Sequence, residues 1–507
     1  MANGFYGLAA ADPARPALID PDGQVTTFGE LRARVNTVSH ALRALGLTPG
    51  DVVAAMVHNS AAYFELVLAT GQLGLYLVPI NTHLTPSEVA FIVADSGAQV
   101  MIAHADLAAE LDLSVPHKLS IDGPVPGWSA YEDLTSDTED PSDLVEGRVM
   151  MYTSGTTGRP KGVQRELTGR PPGTIAQAMA DGMAPFGMRP DDGVHLVCSP
   201  LYHAAPHFFS MSALHLGHTI VWHRKFDAEA VLRAIEQHRV TDSHVVPIHF
   251  VRMLRLPAEV RGRYDLSSLR TLIHAGAPCP VEVKQQMIDW IGPRVWEYLG
   301  ATEGIVSIVS PVEWLSHPGT VGRPLPTITV KLLDDNGHEV PQGEAGTIYY
   351  DTPGDPFEYH NDPGKTAANR VGGLHTVGDL GRFDAEGYLY LLDRRTDLIL
   401  TGGVNVYPAE VEQHLLTHPA VADAAVIGVP DAEWGQSVLA VIQPGRGAVA
   451  SDGLARQLLD HCAAGLASFK RPKRIEFRSD FPRTATGKLL RRELREEFAG
   501  VSDPAGS

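Results

Sequence analysis

The sequence is poor in cysteine. Its 507 residues include only Cys198, Cys279 and Cys462, and these three lie far apart along the chain. Cysteines at these positions form neither the closely spaced pairs of a metal-binding motif nor the disulfide pattern of a small secreted domain. We therefore expect free thiols in a reducing compartment, and we predict a cytoplasmic protein.

Long apolar runs are also missing. The longest apolar stretch, from Leu66 to Ile80, is interrupted by Thr70, Gly71 and Gln72, whereas a membrane-spanning helix needs about 20 consecutive apolar residues. The first residues show no basic segment followed by an apolar core, which a secretory signal requires. The sequence thus predicts neither an integral membrane segment nor an export signal.

Basic residues are outnumbered by acidic residues. There are 41 Lys and Arg residues against 60 Asp and Glu residues, which gives a formal net charge of −19. A surface of this sign repels nucleic acid and anionic membranes. We therefore expect no nucleic-acid partner, and any polyanionic ligand has to be bound by a local basic patch.

The chain does have the size and the pattern of a multidomain α/β protein. With 507 residues it is too long for a single hydrophobic core. Short apolar runs, such as Asp51 to Val57 and Leu75 to Ile80, alternate with amphipathic helical patterns. Thr85-Pro86-Ser87-Glu88 is typical of a capping box that opens a helix. Strands that alternate with helices predict a largely parallel sheet.

The pattern changes further along the chain. The acidic segment from Asp122 to Gly147 is rich in Pro, Gly and Ser and is predicted to be a solvated surface connection. Short strands from Pro318 to Tyr350 predict a small antiparallel unit. Beyond residue 401 the order helix, strand, strand, helix predicts a separately folding domain. We therefore divide the chain into residues 1–393 and residues 394–507.

A glycine-rich loop is the strongest chemical signal. Residues 152–162 read Tyr-Thr-Ser-Gly-Thr-Thr-Gly-Arg-Pro-Lys-Gly and follow a short apolar run. Glycines let backbone N–H groups approach an anion, the hydroxyls add donors and Lys161 adds charge, so the loop is predicted to bind phosphate. It is not a Walker A loop, because Lys161 precedes its glycine and follows Pro160.

Together with segments further along, this loop resembles the adenylate-forming enzymes, specifically the acyl-CoA synthetases. The other matching segments, in family order, are Tyr298-Leu299-Gly300-Ala301-Thr302-Glu303-Gly304, Gly378-Asp379, Asp393-Arg394, Gly402-Gly403-Val404-Asn405-Val406-Tyr407-Pro408-Ala409-Glu410 and Pro482-Arg483-Thr484-Ala485-Thr486-Gly487-Lys488. The resemblance implies a large N-terminal domain of stacked α/β sheets with a small β-barrel-like unit. A small, mobile α+β C-terminal domain would follow it.

The resemblance also implies a reaction in two steps. A carboxylic acid is first joined to AMP with release of pyrophosphate, and the thiol of coenzyme A then displaces AMP. The implied cofactors are ATP or acyl-AMP, Mg²⁺ and coenzyme A. Because negative charge gathers at the α-phosphate in the first step, cations and backbone dipoles directed there should dominate catalysis.

Residue roles follow from the matching positions. Lys488 is implied as the catalytic cation and Glu303 as the Mg²⁺ ligand, a hard oxygen donor for a hard cation. Thr302 joins Glu303 in the catalytic set, His203 is placed near the substrate carboxylate, and Asp379 is expected to accept the ribose hydroxyls. The implied nucleotide-binding residues are Thr153, Ser154, Gly155, Thr156, Thr157, Gly158, Lys161, Gly276, Ala277, Pro278, Tyr298, Leu299, Gly300, Ala301, Thr302, Asp379 and Arg394.

The acyl and CoA sites are expected on either side of this nucleotide. The expected acyl pocket consists of His207, Phe208, Ile248, Phe250, Trp296 and Gly300. No Arg or Lys is evidently placed to pair with a second carboxylate, so we expect a hydrophobic acid, bulky acids included, rather than a dicarboxylic acid. The expected CoA site consists of Gly402 and Gly403 with the basic residues Lys470, Arg471 and Lys473.

Histidines allow a competing interpretation. His203 and His207 are four residues apart, with His215 and His218 further on, as in some zinc sites. No His-Glu-x-x-His motif and no paired cysteines accompany them, so we do not expect a metal there.

Two positions depart from the family. Leu299 stands where an aromatic residue usually stacks on adenine, and Thr396 stands at the hinge where Lys or an acidic residue is common. Loss of stacking should weaken ATP binding by about tenfold at most. The alternatives are therefore an enzyme that forms only the thioester from a preformed acyl-adenylate, and one that transfers the acyl group to a carrier-protein thiol. A non-catalytic nucleotide-binding regulator is disfavoured because Lys488 is present. The sequence does not decide the oligomeric state, and a homodimer is one possibility.

Overall fold

The protein is built from α/β layers that are followed by an antiparallel unit and a smaller α/β domain. In a computed structural model, the residues described are 4–134, 137–153, 160–190, 193–394, 397–401, 404–431, 434–483 and 489–498. This mixed α/β architecture confirms the fold class predicted from the sequence.

Helices and strands alternate through the N-terminal part. The first elements are α1 (Gly4–Ala11), β1 (Pro16–Ile19), β2 (Val25–Thr27), α2 (Phe28–Ala44), β3 (Val52–Met56), α3 (Ala61–Gln72), β4 (Tyr76–Pro79), α4 (Pro86–Ser96), β5 (Val100–His104), α5 (Ala105–Ala108), β6 (His117–Ile121) and β7 (Ser129–Ala130). They are followed by β8 (Arg148–Val149), β9 (Met151–Thr153), β10 (Lys161–Arg165), α6 (Pro172–Asp181), β11 (Val194–Val197), α7 (Ala204–Leu216), β12 (Thr219–Trp222), α8 (Ala228–His238), β13 (Asp242–Val245), α9 (Pro247–Leu254), α10 (Ala258–Arg261), β14 (Thr271–His274), α11 (Val281–Ile291), β15 (Val295–Ala301), β16 (Gly304–Val309), α12 (Pro311–Ser316) and β17 (Arg323–Pro324).

Shorter strands dominate the remainder. The next elements are β18 (Val330–Leu333), β19 (Gly346–Tyr350), β20 (Phe357–Tyr359), α13 (Pro363–Ala368), β21 (Arg370–Val371), β22 (Leu374–His375), β23 (Asp379–Phe383) and β24 (Leu389–Arg394). All of these strands except β20 form an antiparallel sheet, and β20 pairs with β10 instead. The last elements are β25 (Ile399–Thr401), β26 (Val404–Val406), α14 (Pro408–Leu416), β27 (Val421–Asp431), β28 (Gly435–Pro444), α15 (Asp452–Gly465), β29 (Arg474–Phe477) and α16 (Arg491–Phe498).

Two large sheets form the N-terminal layers. The parallel sheet has the strand order β7-β6-β5-β3-β4-β8, and the mixed sheet has the order β17-β16-β15-β14-β13-β11-β12-β1-β2. In the mixed sheet, all neighbours from β15 to β1 run parallel. Helices α2, α3 and α7 lie between the sheets, where one core cluster includes Val53 of the parallel sheet and Ile220 of the mixed sheet.

Local sequence explains the helices of this layer. In α2 the residues Leu31, Val35 and Val38 are fully buried, because spacings of three and four place them on one face. The capping box predicted for α4 is confirmed: Glu88 N–H donates to Thr85 Oγ1 at 3.4 Å, and Thr85 N–H donates to Glu88 Oε2 at 2.8 Å. Among the helices in the described ranges, none has both the length and the apolar character needed to cross a bilayer.

Parts of the acidic segment before the glycine-rich loop are buried and hydrogen-bonded to the rest of the domain, which its composition does not predict. Tyr131 is 3% exposed and Glu146 is 2% exposed, and the Tyr131 hydroxyl donates to Glu65 Oε2 at 2.8 Å. Asp140 accepts a hydrogen bond of 2.9 Å from Arg32 Nε on α2. The prediction of a solvated connection is therefore wrong for Tyr131 and Glu146, which are buried, whereas Asp140 is exposed as predicted. The partner of Tyr131 lies on α3, 66 residues earlier, which composition cannot reveal.

The C-terminal elements follow the predicted order of helix, strand, strand and helix. Strands β27 and β28 pair antiparallel, and α14 and α15 pack against them around Val411, Leu415 and Leu458. The antiparallel pairing of β18 with β19 likewise confirms the predicted small unit. The division of the chain at residues 393 and 394 stays a prediction. Near that point, Ala409 N–H of α14 donates to Asp393 Oδ2 of β24 at 3.0 Å.

Candidate functional site

Four neighbouring strands of the mixed sheet end at one crevice. Strands β11, β13, β14 and β15 are parallel, so the residues that follow their carboxyl ends come together at one edge. In open α/β sheets, ligands bind in the crevice outside the carboxyl ends of the strands. The residues predicted for the nucleotide and the acyl group are largely drawn from these loops, which follow strands ending at Val197, Val245, His274 and Ala301.

A cavity of about 820 Å³ opens at this edge. Its wall contains these residues of the predicted sites: His203, His207, Phe208, Gly276, Tyr298, Gly300, Ala301 and Thr302. The structure therefore brings two of the predicted catalytic residues, His203 and Thr302, and three of the predicted acyl residues, His207, Phe208 and Gly300, to one cavity. Much of the remaining wall is apolar and comes from helices α3, α6 and α7.

Three residues of the predicted acyl pocket do not line this cavity. Ile248 and Phe250 belong to α9, and Phe250 is fully buried in a core cluster with Val231 of α8 and Met287 of α11. Trp296 lies further back on β15 and packs against Phe186 at a ring-centroid distance of 6.2 Å. The pocket list is corrected accordingly, because sequence position does not tell which face of the sheet a neighbouring helix covers.

The cavity wall also carries cations that the sequence reasoning missed. Arg148, Arg165 and Arg170 line it together with Glu146 and Asp355; the expectation that no Arg or Lys is placed to pair with a second carboxylate stays a prediction. Arg165 Nε lies 2.7 Å from Asp355 Oδ2, and Arg148 Nη1 lies 3.3 Å from Asp355 Oδ1. The two arginines are thus joined through one carboxylate. No motif signals this arrangement, since the partner carboxylate lies about 200 residues away.

Arg165 also fixes the segment that contains Thr302 and Glu303. Its Nη2 donates to the main-chain carbonyl of Thr302 at 3.2 Å and to that of Glu303 at 2.8 Å. Because the guanidinium is a rigid fork of donors, it holds both carbonyls in a defined orientation. Arg165 therefore positions the two residues predicted to act on the ATP phosphates.

The Glu303 side chain is held by a neutral tyrosine. Glu303 is 5% exposed, and the Tyr359 hydroxyl donates to its Oε1 at 2.8 Å. Burial, with a further contribution from the charge of Glu303, raises the pKa of Tyr359, so its proton stays on the phenol. The carboxylate keeps oxygen lone pairs for a cation, and Mg²⁺ is commonly bound by one or two carboxylates together with phosphates and waters. The residues present therefore fit the predicted Mg²⁺.

The phosphate-binding loop connects two paired strands. Thr153 at the end of β9 is the register partner of Lys161 at the start of β10. Lys161 Nζ lies 2.9 Å from Asp362 Oδ2, and this hydrogen bond lowers the pKa of Asp362. The loop residues Ser154, Gly155, Thr156, Thr157 and Gly158 lie outside the described residues.

Some of the predicted ribose and adenine residues come together beside this cavity. Leu299, Gly300 and Asp379 line a small void of about 10 Å³. Asp379 pairs in register with Arg394 across β23 and β24; the Arg394 side chain lies outside the described part of the structure. Gly276, at a φ of +85°, follows β14 and leads into Ala277 and Pro278.

The side chain of Tyr298 lies on the opposite face of β15 from that of Leu299. Successive side chains of a strand point to opposite faces, and the ring of Tyr298 packs against Phe209 at 5.5 Å and lines the large cavity. Of the pair Tyr298 and Leu299, it is Leu299 that lines the small void with Asp379. The placement of Tyr298 among the nucleotide-binding residues stays a prediction.

Known families match nearly the whole chain. The family described as AMP-binding enzyme matches residues 6–355, and the family described as AMP-binding enzyme C-terminal domain matches residues 410–488. The chain belongs to the AMP-binding enzymes. The resemblance drawn from the sequence motifs is thereby confirmed.

Curated relatives and a solved structure agree with this family. The AMP-binding enzyme is 36% identical over 497 residues to a feruloyl-CoA synthase from Amycolatopsis sp, which covers 96% of this chain and 98% of the relative. It is 34% identical over 506 residues to the fatty acid–[acyl-carrier-protein] ligase ScoC from Streptomyces coeruleorubidus, which covers 97% and 95% of the two chains. The structure of o-succinylbenzoate CoA synthetase (MenE) from Bacillus subtilis, in complex with the acyl-adenylate intermediate OSB-AMP, superposes with a TM-score of 0.81 at 30% identity and covers 98% of both chains. The AMP-binding enzyme is an ATP-dependent acid–thiol ligase.

In the C-terminal domain of the AMP-binding enzyme, the residues predicted to bind CoA already have partners. Lys470 Nζ lies 2.6 Å from Glu410 Oε1, and Lys473 Nζ lies 3.4 Å from Asp431 Oδ2. Arg471 Nε donates to the carbonyl of Leu466 at 2.8 Å. The predicted basic patch is thus partly compensated by the chain itself. Lys488, Thr396, Gly402 and Gly403 lie outside the described residues.

Helix α7 supplies a row of histidines to the cavity of this AMP-binding enzyme. His203 is its N-cap, and His203, His207 and His215 all line the cavity. Burial lowers the pKa of His203 and of His207 to about 4, and that of His215 to about 3. All three are therefore neutral near pH 7. Within the described ranges, no group of three His, Cys, Asp or Glu side chains is arranged to hold a metal ion.

Proposed function

We propose that the protein joins a carboxylic acid to coenzyme A through an acyl-adenylate, with the acid held in the cavity along α7. The observation that carries this proposal is that one cavity of about 820 Å³ is lined both by residues predicted for catalysis and the nucleotide and by residues predicted for the acyl group. His203, Gly276 and Thr302 represent the first set, and His207 and Phe208 the second. An acid in this cavity would have its carboxylate near His203 and Thr302, where the nucleotide is expected to reach it.

In the first half-reaction, a carboxylate oxygen of the acid attacks the α-phosphorus of ATP, and pyrophosphate leaves. Asp379 would hold the ribose hydroxyls, Lys488 would stabilise the charge that develops at the α-phosphate, and Glu303 would hold Mg²⁺. When bound, Mg²⁺ neutralises charge on the phosphates. Arg165 would keep the Thr302–Glu303 segment in place through the two carbonyl hydrogen bonds.

In the second half-reaction, the sulfur of CoA attacks the acyl carbonyl, and AMP leaves. Coenzyme A is the proposed acceptor because the feruloyl-CoA synthase and MenE are named for CoA thioesters. The basic residues Lys470, Arg471 and Lys473 are proposed to contact its phosphates, with Lys470 exchanging Glu410 for a phosphate oxygen.

We propose that the acid is bulky and mainly apolar. The support is the size of the cavity, about 820 Å³, and the apolar residues Leu68, Met179 and Ile305 in its wall. Pockets for drug-sized ligands span roughly 300 to 1,000 Å³. Of the arginines in the wall, Arg148 is paired with Glu146 and Asp355 and Arg165 is paired with Asp355, so these two do not present uncompensated charge to a second carboxylate.

One experiment tests this function directly. Purified protein is incubated with ATP, Mg²⁺, CoA and a panel of aromatic, fatty and polycyclic acids, while pyrophosphate release is followed and thioesters are identified by mass spectrometry. We expect pyrophosphate and acyl-CoA from at least one acid, and neither product when the acid is omitted. Failure of every acid to release pyrophosphate would contradict the adenylating step.

A carrier-protein thiol is the second candidate acceptor, favoured by the 34% identity to the ScoC ligase over 97% of the chain. Replacing CoA by a phosphopantetheinylated carrier protein in the same assay separates the two. A thioester on the carrier protein but not on CoA would assign this candidate. A thioester made from synthetic acyl-AMP, without pyrophosphate release from ATP and acid, would instead assign an enzyme of the second half-reaction only.

We also propose a cytoplasmic location. The support is that Cys198, Cys279 and Cys462 are all free thiols, two of them buried, as expected of a protein kept in a reducing compartment. Fractionation of cells that produce the protein tests this, and recovery outside the cytoplasm would contradict it.

A further inference from the structure

One face of α7 carries polar groups along the whole length of the cavity. His203, His207, Met211 and His215 follow each other at intervals of four residues, and all of them line the cavity. Residues four apart lie on the same face of a helix, and twelve residues extend about 18 Å along its axis. An acid that enters with its carboxylate near His203 therefore passes His207 and then His215.

The hydrogen bonds of Tyr63 determine which nitrogen of His207 carries the proton. The Tyr63 hydroxyl donates to the carbonyl of Leu201 at 2.6 Å, and its oxygen also lies 3.0 Å from His207 Nδ1. A hydroxyl has one proton, and a carbonyl can only accept it. His207 Nδ1–H must therefore donate to the Tyr63 oxygen, which leaves His207 Nε2 with a lone pair.

His215 has the opposite tautomer. The main-chain N–H of Phe5 donates to His215 Nδ1 at 3.2 Å, so this nitrogen is an acceptor. The ring is neutral because burial lowers its pKa to about 3, and its proton therefore lies on Nε2. Along the cavity, His207 offers an acceptor and His215, two turns further, offers a donor.

Neither Nε2 has a hydrogen-bond partner among the described residues. In the empty cavity, water can satisfy both nitrogens. A hydrocarbon chain would displace that water without replacing its hydrogen bonds, and a buried polar group that loses its partner is costly. An acid that carries its own hydroxyl group avoids this cost, because a hydroxyl both donates and accepts.

We propose that the substrate is a hydroxylated acid whose hydroxyl group donates a hydrogen bond to His207 Nε2. This inference rests on the proposed function and narrows it. The acid remains bulky and mainly apolar, but its body carries at least one hydroxyl beyond the carboxylate. A plain hydrocarbon acid of the same size is the poorer substrate.

Matched pairs of acids test the inference. The pairs are 4-hydroxybenzoic and benzoic acid, 4-hydroxycinnamic and cinnamic acid, and 12-hydroxydodecanoic and dodecanoic acid, since they place the hydroxyl at increasing depth. The measurement is kcat/KM from pyrophosphate release. We expect the hydroxy acid to be preferred by at least about tenfold in the pair whose hydroxyl reaches His207. 4-Methoxycinnamic acid, which cannot donate, serves as the control for polarity alone.

Two variants test whether His207 is the residue that accepts the hydrogen bond from the substrate hydroxyl. His207→Leu removes the acceptor and should bring the hydroxy-to-deoxy ratio close to one. His207→Gln retains an amide oxygen and should keep most of the preference, which separates loss of the acceptor from damage to the fold. Equal or better use of the deoxy acid in every pair, or a preference that is unchanged in His207→Leu, would overturn the inference. Absence of pyrophosphate from all six acids and the methoxy control, with the panel of the previous section also inactive, would instead reject the proposed function.

Discussion

The Tyr359 hydroxyl donates a hydrogen bond of 2.8 Å to Glu303 Oε1, and this bond orients the carboxylate that is predicted to hold Mg²⁺. Partners of this kind, which orient a metal ligand, commonly change metal affinity by about 10- to 100-fold when they are lost. Tyr359 lies on β20, which is paired with β10, the strand that follows the phosphate-binding loop. Strand β10 and the predicted Mg²⁺ ligand are thus joined through β20 and the Tyr359 hydroxyl.

Replacement of Tyr359 by Phe should therefore weaken the response to Mg²⁺. We expect Tyr359→Phe to raise the Mg²⁺ concentration for half-maximal pyrophosphate release by about tenfold, because the Glu303 carboxylate is no longer held in one orientation. Tyr264→Phe is the matched control, since the Tyr264 hydroxyl donates to Glu229 at 2.7 Å away from the cavity. An equal Mg²⁺ requirement in the two variants would show that Tyr359 does not orient a metal ligand.

Lys488→Ala should separate the two half-reactions. We expect it to reduce pyrophosphate release from acid and ATP by at least about a thousandfold, because the cation that stabilises charge at the α-phosphate is removed. Thioester formation from supplied acyl-AMP and CoA should change much less. Parallel assays of both steps check this, with Lys365→Ala as a control in the N-terminal domain, and similar losses in both steps would refute the assignment.

Tyr63→Phe should relax substrate discrimination without removing the cavity. The hydroxyl that fixes the Nδ1–H tautomer of His207 is lost, so His207 can present either a donor or an acceptor to the acid. We expect the preference for the hydroxylated acid to fall several-fold while kcat/KM for the deoxy acid stays within about twofold. The ratio of the two kcat/KM values is the readout, and an unaltered ratio would argue against Tyr63 as a positioning residue.

Stability should fall in mild acid because several buried histidines are neutral. Burial lowers the pKa of His207 to about 4 and the pKa of His215, His244 and His249 to about 3. In the unfolded chain these groups titrate near 6.5, so their contribution to stability is complete above pH 6.5 and is lost as the pH falls towards 4. Each can contribute up to about 1.4 kcal/mol per pH unit, and the four together on the order of 5 kcal/mol per pH unit at most.

Urea unfolding at several pH values checks this dependence. The free energy of unfolding should be nearly constant above pH 7 and should decrease steeply between pH 6.5 and 5. In His207→Gln the slope should be smaller by the equivalent of about one proton. A flat free energy of unfolding from pH 7 to 5 would mean that these rings are not held neutral by the fold.

The sequence predicted local features well. The helix Pro408–Leu416 begins and ends as predicted, and the Thr85–Glu88 capping box is formed, because both are set by residues within a few positions of each other. The motif residues Thr302, Gly300 and His203 also line one cavity, as their assignment to one site requires. The motifs therefore predicted correctly that these residues, which are distant in sequence, lie close together in the fold.

The cavity wall was predicted less well, for physical reasons. Phe250 and Tyr298 are both apolar residues near the ends of parallel strands, yet one packs outside the mixed sheet and the other lines the cavity. Arg148 and Arg165 could not be assigned because their shared partner, Asp355, comes from a distant loop. Which face of a sheet a residue occupies, and which charges meet, are properties of the assembled fold.

The bond between Ala409 N–H and Asp393 Oδ2 bears on how the two domains can move. The predicted hinge at Thr396 lies between these two residues in sequence, so a swing about that hinge strains or breaks the bond. If the predicted movement about that hinge accompanies the change of half-reaction, rupture of this bond is a cost that the movement has to meet.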